Sequence, residues 1–185
     1  MRRIMLAAAA PLALAACNQG SGPALPPVQE GAQAPSTQRP DPAAQQAQID
    51  DATRQQLIAN IDSMLDQMQQ QSGGAPMQGF ADEITPMQPG TDHRQVVSLD
   101  GGVGYMVVGA CDGDCTNYDI ELIDMRTGGV VASDMLPDDF PVVNFTPPAT
   151  GQYMIRSLMQ ACSVAPCYAG ARVLTVAAAP AGGTK

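Results

Sequence analysis

The chain has 185 residues, enough for one domain with extensions at its ends. Eighteen Asp and Glu stand against nine Lys and Arg, a formal charge of −9; a surface of that sign repels phosphate backbones and argues against nucleic acid as a partner. There is no Trp and only 4% of residues are aromatic, so a core has to be built from Val, Ile, Leu and Met.

At the N-terminus Arg2 and Arg3 precede an apolar run from position 4 to 16. The run is shorter than the ~20 residues a helix needs to span a bilayer, so residues 1–16 read as an export signal. It ends on Leu14-Ala15-Ala16-Cys17 and turns at once to Asn18, Gln19, Gly20 and Ser21. This junction resembles the lipobox of bacterial lipoproteins. The resemblance implies a diacylglycerol on the Cys17 thiol, cleavage just before it, and acylation of the new amino group, as by palmitate. Buried methylenes contribute ~0.8 kcal/mol each, so several acyl chains would hold the protein firmly at a membrane. Asn18 stands where enterobacterial members retained at the inner membrane usually carry Asp, which implies the outer membrane and a body facing the periplasm. Loss of Arg2 and Arg3 with the leader would take the charge from −9 to −11.

Residues 18–42 are rich in Gly, Pro, Gln, Ser and Ala. With Cys17 at its head, this stretch reads as a flexible linker whose ~25 residues would reach about 75 Å in polyproline form. It would lift the body clear of the headgroups.

Over 43–72 the pattern changes. Ile49, Leu57, Ile58, Ile61, Met64, Leu65 and Met68 recur at three- and four-residue intervals, with Asp and Gln on the other face. That spacing predicts an amphipathic helix, preceded by Pro42 and ended by Ser72-Gly73-Gly74. It would pack on its own domain or dock a partner. Residues 73–92 read as a connection.

From 93 to 177 the period drops to two. Strands are predicted over 94–99, 104–111, 118–123, 130–133, 142–145, 152–158 and 169–176, with Asp-, Gly- and Pro-bearing turns between them. About seven short strands at this spacing predict an all-β fold, an antiparallel β-sandwich. Residues 178–185 read as a disordered tail. Gly104-Tyr105, the strand from Tyr118-Asp119-Ile120-Glu121-Leu122 to Ile123-Asp124, the return Val130-Val131-Ala132-Ser133-Asp134, and Gly151-Gln152-Tyr153-Met154-Ile155-Arg156 resemble the bacterial pre-peptidase C-terminal domain. The resemblance implies a jelly-roll-like sandwich, a family placed mostly beside secreted peptidases, with some members binding calcium or extracellular polymers.

Four further cysteines remain: Cys111, Cys115, Cys162 and Cys167. In an exported chain an even number reads as disulfides. Cys111–Cys115 and Cys162–Cys167 is the favoured pairing, because each pair brackets a turn-forming stretch. Crossed pairing, a four-cysteine zinc site and a redox-active pair are the alternatives, though neither pair has the C-x-x-C spacing usual for redox chemistry.

Signatures of catalysis are sparse. His93 is the single histidine, and neither HExxH nor GxSxG occurs. Asp112, Asp114 and Asp119 form an acidic group that could supply oxygens to calcium, and Asp134, Asp138 and Asp139 form a second. The first group does not follow the EF-hand pattern, and Asp in turns is more often structural. No other cofactor is indicated. These readings converge on a lipid-anchored envelope protein, not an enzyme, whose sandwich binds an envelope protein or polymer or serves a structural role. A regulator or inhibitor of an exported hydrolase or peptidase is the alternative.

Overall fold

A computed structural model describes residues 26–40 and 44–176; Cys17 and the leader lie outside these. The elements are β1 (Gln45–Gln46), α1 (Asp51–Ser72), β2 (Ala75–Pro76), β3 (Thr85–Met87), β4 (Thr91–Leu99), β5 (Gly104–Cys111), β6 (Cys115–Asp124), β7 (Val130–Asp134), β8 (Val142–Phe145), β9 (Gly151–Cys162), β10 (Val164–Ala165) and β11 (Cys167–Val176). All seven predicted strands are present, four of them extended by two to five residues.

Two antiparallel sheets face each other. One has the order β4-β9-β6-β7; the other has the order β2-β11-β5-β8, with β3 also paired to β11. The alternation of the sequence explains the sandwich. Val97, Leu99, Ile120, Leu122, Tyr153 and Ile155 from the first sheet meet Tyr105, Val107, Val143, Ala171 and Val173 from the second, and all are buried. Phe145 and Tyr153 meet edge to face with centroids 5.3 Å apart, a favoured aromatic geometry. Gly109 leaves room for a close approach between the sheets, since a Cβ there would come within 2.7 Å of the Tyr118 ring and 2.8 Å of Pro141.

The helix covers the outer face of the second sheet. Ile61 and Leu65 pack on Val108, Ala110, Tyr168 and Leu174. It begins at Asp51, later than the periodicity suggests, because Asp50 caps it by accepting from the Thr53 amide at 2.7 Å. Gly73, at φ 67°, closes it in the left-handed conformation. Arg172 on β11 holds the helix from below, donating to Asp62 at 2.8 Å, to Asp66, and to Gln69 at 3.1 Å. Asp82 from the following segment completes its shell at 2.7 Å. Among the described residues no helix is long and apolar enough to cross a membrane.

The connections alternate between two ends of the sandwich. Turns 100–103, 125–129 and 146–150 gather at one end. Turns 112–114, 135–141 and 163–166, with both cysteine pairs, gather at the other.

Segment 26–40 departs from its reading as a linker. It crosses the outer face of the β4-β9-β6-β7 sheet. Gln33 exchanges two backbone hydrogen bonds with Val130, at 2.9 and 2.7 Å. The Gln29 amide donates to Asp124 at 3.1 Å, and the Arg39 carbonyl lies against Gly90. Beyond it, β1 pairs in parallel with β10, in the loop closed by Cys162 and Cys167. Residues 73–92, read as a connection, contribute two short strands to the second sheet.

Candidate functional site

The outer face of the β4-β9-β6-β7 sheet carries a cluster of buried charged side chains. Alternation sends Ile120, Leu122 and Ile155 into the core, so Asp119, Glu121 and Arg156 point outward. Arg156 is nevertheless buried, because segment 26–40 lies over it. Its guanidinium donates to Glu121 at 2.9 Å, to the Ser36 carbonyl at 2.7 Å and to Asp92. The Ser36 amide returns a 2.8 Å bond to Glu121. A cation and two carboxylates removed from water are tolerated only when fully bonded in this way. Burial would raise the Asp92 carboxyl, but the bonds from Arg94 and Arg156 outweigh it and hold the group below its ordinary range.

Beside the segment lies an open groove of about 440 Å³, bordered by Pro35, Ser36, Arg94, Ile123, Met154 and Arg156. At the end of the sandwich where the segment begins, Gln29, Asp124, Arg126, Thr150 and Tyr153 border a second cavity of about 250 Å³.

The cysteines pair as the turn-bracketing spacing predicts. Cys111 and Cys115 lie at disulfide distance, as do Cys162 and Cys167, with Cα separations of 6.0 and 6.2 Å. The two pairs are neighbours, since Cys115 stands opposite Cys162 across the β6–β9 ladder. Met87 and Met159 pack with them.

The aspartates proposed for calcium are not brought together as a ligand set. Asp112 spends its oxygens on main-chain amides, accepting from Tyr168 on β11 at 2.7 Å and from Asp114 in its own turn at 3.2 Å. Asp114 accepts from the Ser163 hydroxyl at 3.1 Å. Asp119 lies apart on the sheet face, accepting from Gln160 at 2.6 Å, while its other oxygen is buried without a partner. Burial is the main cause that holds Asp119 above the usual carboxylate range; the Gln160 bond lowers it in part, and Asp134, Asp138 and Glu121 raise it further. Burial likewise raises Asp112. Asp134 and Asp138 accept from main-chain amides of their own loop. Among the described residues no group of three His, Cys, Asp or Glu side chains is placed to hold a metal ion. His93 bonds to Glu83 at 2.9 Å.

Sequence reading missed the Arg156 cluster. Arg156 sits at an outward strand position, where a charged residue is ordinary, and nothing in the pattern announces that another segment covers it. No family model matches the chain, and no curated protein matches it.

Proposed function

We propose that this protein is a bacterial envelope lipoprotein, anchored through acylated Cys17, whose disulfide-stapled β-sandwich is a binding or structural module. The observation that carries the reading is the junction of an apolar leader with Leu14-Ala15-Ala16-Cys17, nine positions ahead of a segment that lies across the body. An acyl group there gives a firm anchor without a spanning helix. A non-catalytic role is supported by how the polar side chains are spent. The arginines at positions 156 and 172 are buried in structural ion pairs, and the lone histidine is committed to a glutamate at the entry to β4. The paired cysteines suit an oxidising compartment, and the periplasmic face of an outer membrane fits both features. The partner is then an envelope protein or polymer.

The test is fractionation of cells carrying Cys17→Ser beside wild type, with intact mass of the mature chain. Wild type is expected in the membrane fraction, starting at Cys17 with acyl mass added and two disulfides lost on reduction. The variant is expected to leave that fraction. A variant that still sediments with membranes would sink the reading.

A further inference from the structure

We infer that the protein stands on its membrane by one end of the sandwich, with turns 100–103, 125–129 and 146–150 against the lipid headgroups and the cysteine-bearing end pointing away. The inference rests on the proposed anchor at Cys17 and adds the surface that meets the lipid. Three observations carry it.

The first is where the docked chain begins. Gln29 donates to Asp124 and Tyr153, and Val28 lies against Gly129, so the segment enters at the end formed by those three turns. From there it runs toward Gly90 at the opposite end.

The second is length. The first docked side chains, Val28 and Gln29, lie 11 and 12 positions after Cys17, which at full extension reach about 40 Å. Strand β9 runs the length of the sandwich with 12 residues, about 40 Å at ~3.4 Å per residue. If the cysteine end touched the bilayer, the connection would have to be drawn out to its full extension to reach the point where the segment docks.

The third is charge. The far end carries Asp112, Asp114, Asp134, Asp138 and Asp139 on two neighbouring turns, offset there by Arg39 where the segment arrives. The near end carries fewer carboxylates: exposed Asp100 and Glu30, and the buried Asp124, which is bonded to Gln29 and paired with exposed Arg126. Anionic lipid repels the far surface more strongly than the near one. Apolar exposure alone does not decide, since Val28, Val103 and Met125 are exposed near one end and Met135, Leu136 and Phe140 at the other.

The chain has no tryptophan, so one introduced indole reports a single position. The native lipidated protein carrying Val103→Trp, Met125→Trp or Leu136→Trp is mixed with vesicles of phosphatidylethanolamine and phosphatidylglycerol containing a headgroup-region nitroxide lipid. Flotation shows whether each variant is bound, and a cooperative melt shows that it is folded. The expected result is quenching several-fold stronger at positions 103 and 125 than at 136. Equal quenching at the three positions, or stronger quenching at 136, in protein that floats with the vesicles overturns the orientation. Failure of folded protein to float overturns the anchor itself, and the orientation with it.

Discussion

Arg156 shows what a single residue can hold. Its side chain is 7% exposed and that of its partner Glu121 is 5% exposed, so removing the cation strands a carboxylate out of water. Arg156→Met is expected to cost about 3–5 kcal/mol in urea denaturation. The double change Arg156→Met with Glu121→Leu is expected to recover much of that, because apolar groups of similar size replace the pair without leaving a charge behind. Asp119 presents the opposite case. Its folded carboxyl sits above the ordinary value near 3.9, so the folded state holds a proton more tightly than the unfolded chain. The stabilising term is present at acid pH and declines as pH rises from that ordinary value through the raised folded one. Asp119→Asn, which keeps the shape without the titration, is expected to flatten this decline in melting temperatures measured from pH 3 to 7. A variant whose profile parallels wild type would show that Asp119 does not titrate in that window.

Among elements, segment 26–40 differs most from the rest. It contains Pro, Gln, Ser and Gly with few large apolar residues, and it is held by Gln29, Gln33 and Ser36 and by backbone bonds to Val130. Elements that bury little apolar surface open at low free-energy cost. Gly90, at φ 74°, leaves the space into which the Arg39 carbonyl fits. Gly90→Ala is therefore expected to lift this crossing and raise the rate of proteolytic cleavage within 26–40, while the sheets stay folded by circular dichroism. The same contrast explains what could be read from sequence. Strands β4 to β9 and β11 announce themselves because alternate residues face a core, and the helix because Ile61 and Leu65 fall on one stripe with their neighbours. A segment docked through main-chain bonds and amide side chains leaves no hydrophobic period, so composition alone made it a linker. The short strands β2 and β3 escaped notice for the same reason: Ala75–Pro76 and Thr85–Met87 borrow their pairing from β11.

At the scale of the whole molecule, the fold is three layers deep, helix over sheet over sheet, with a fourth, partial covering supplied by residues 26–40. The sandwich itself is small and poor in aromatic residues, so its two covalent loops matter. Closing loops of this size contributes about 2 kcal/mol each on the chain-entropy estimate, against a typical total of about 5–15 kcal/mol. Full reduction is expected to lower the melting temperature sharply. Changing Cys162 and Cys167 together to serine is expected to give about half that loss, followed by near-ultraviolet circular dichroism. Loss of cooperative melting on reduction with retained far-ultraviolet signal would place the two bridges at the centre of packing specificity.

The strand order carries one more consequence. Strand β9 is central in one sheet and β11 in the other, and both come from the last third of the chain. Residues 26–40 and the helix are made well before β9 and β11, yet the surfaces that receive them do not exist until those late strands arrive. A chain with this strand order cannot complete either sheet until β9 and β11 are available, and only then can residues 26–40 and the helix find the faces they cover.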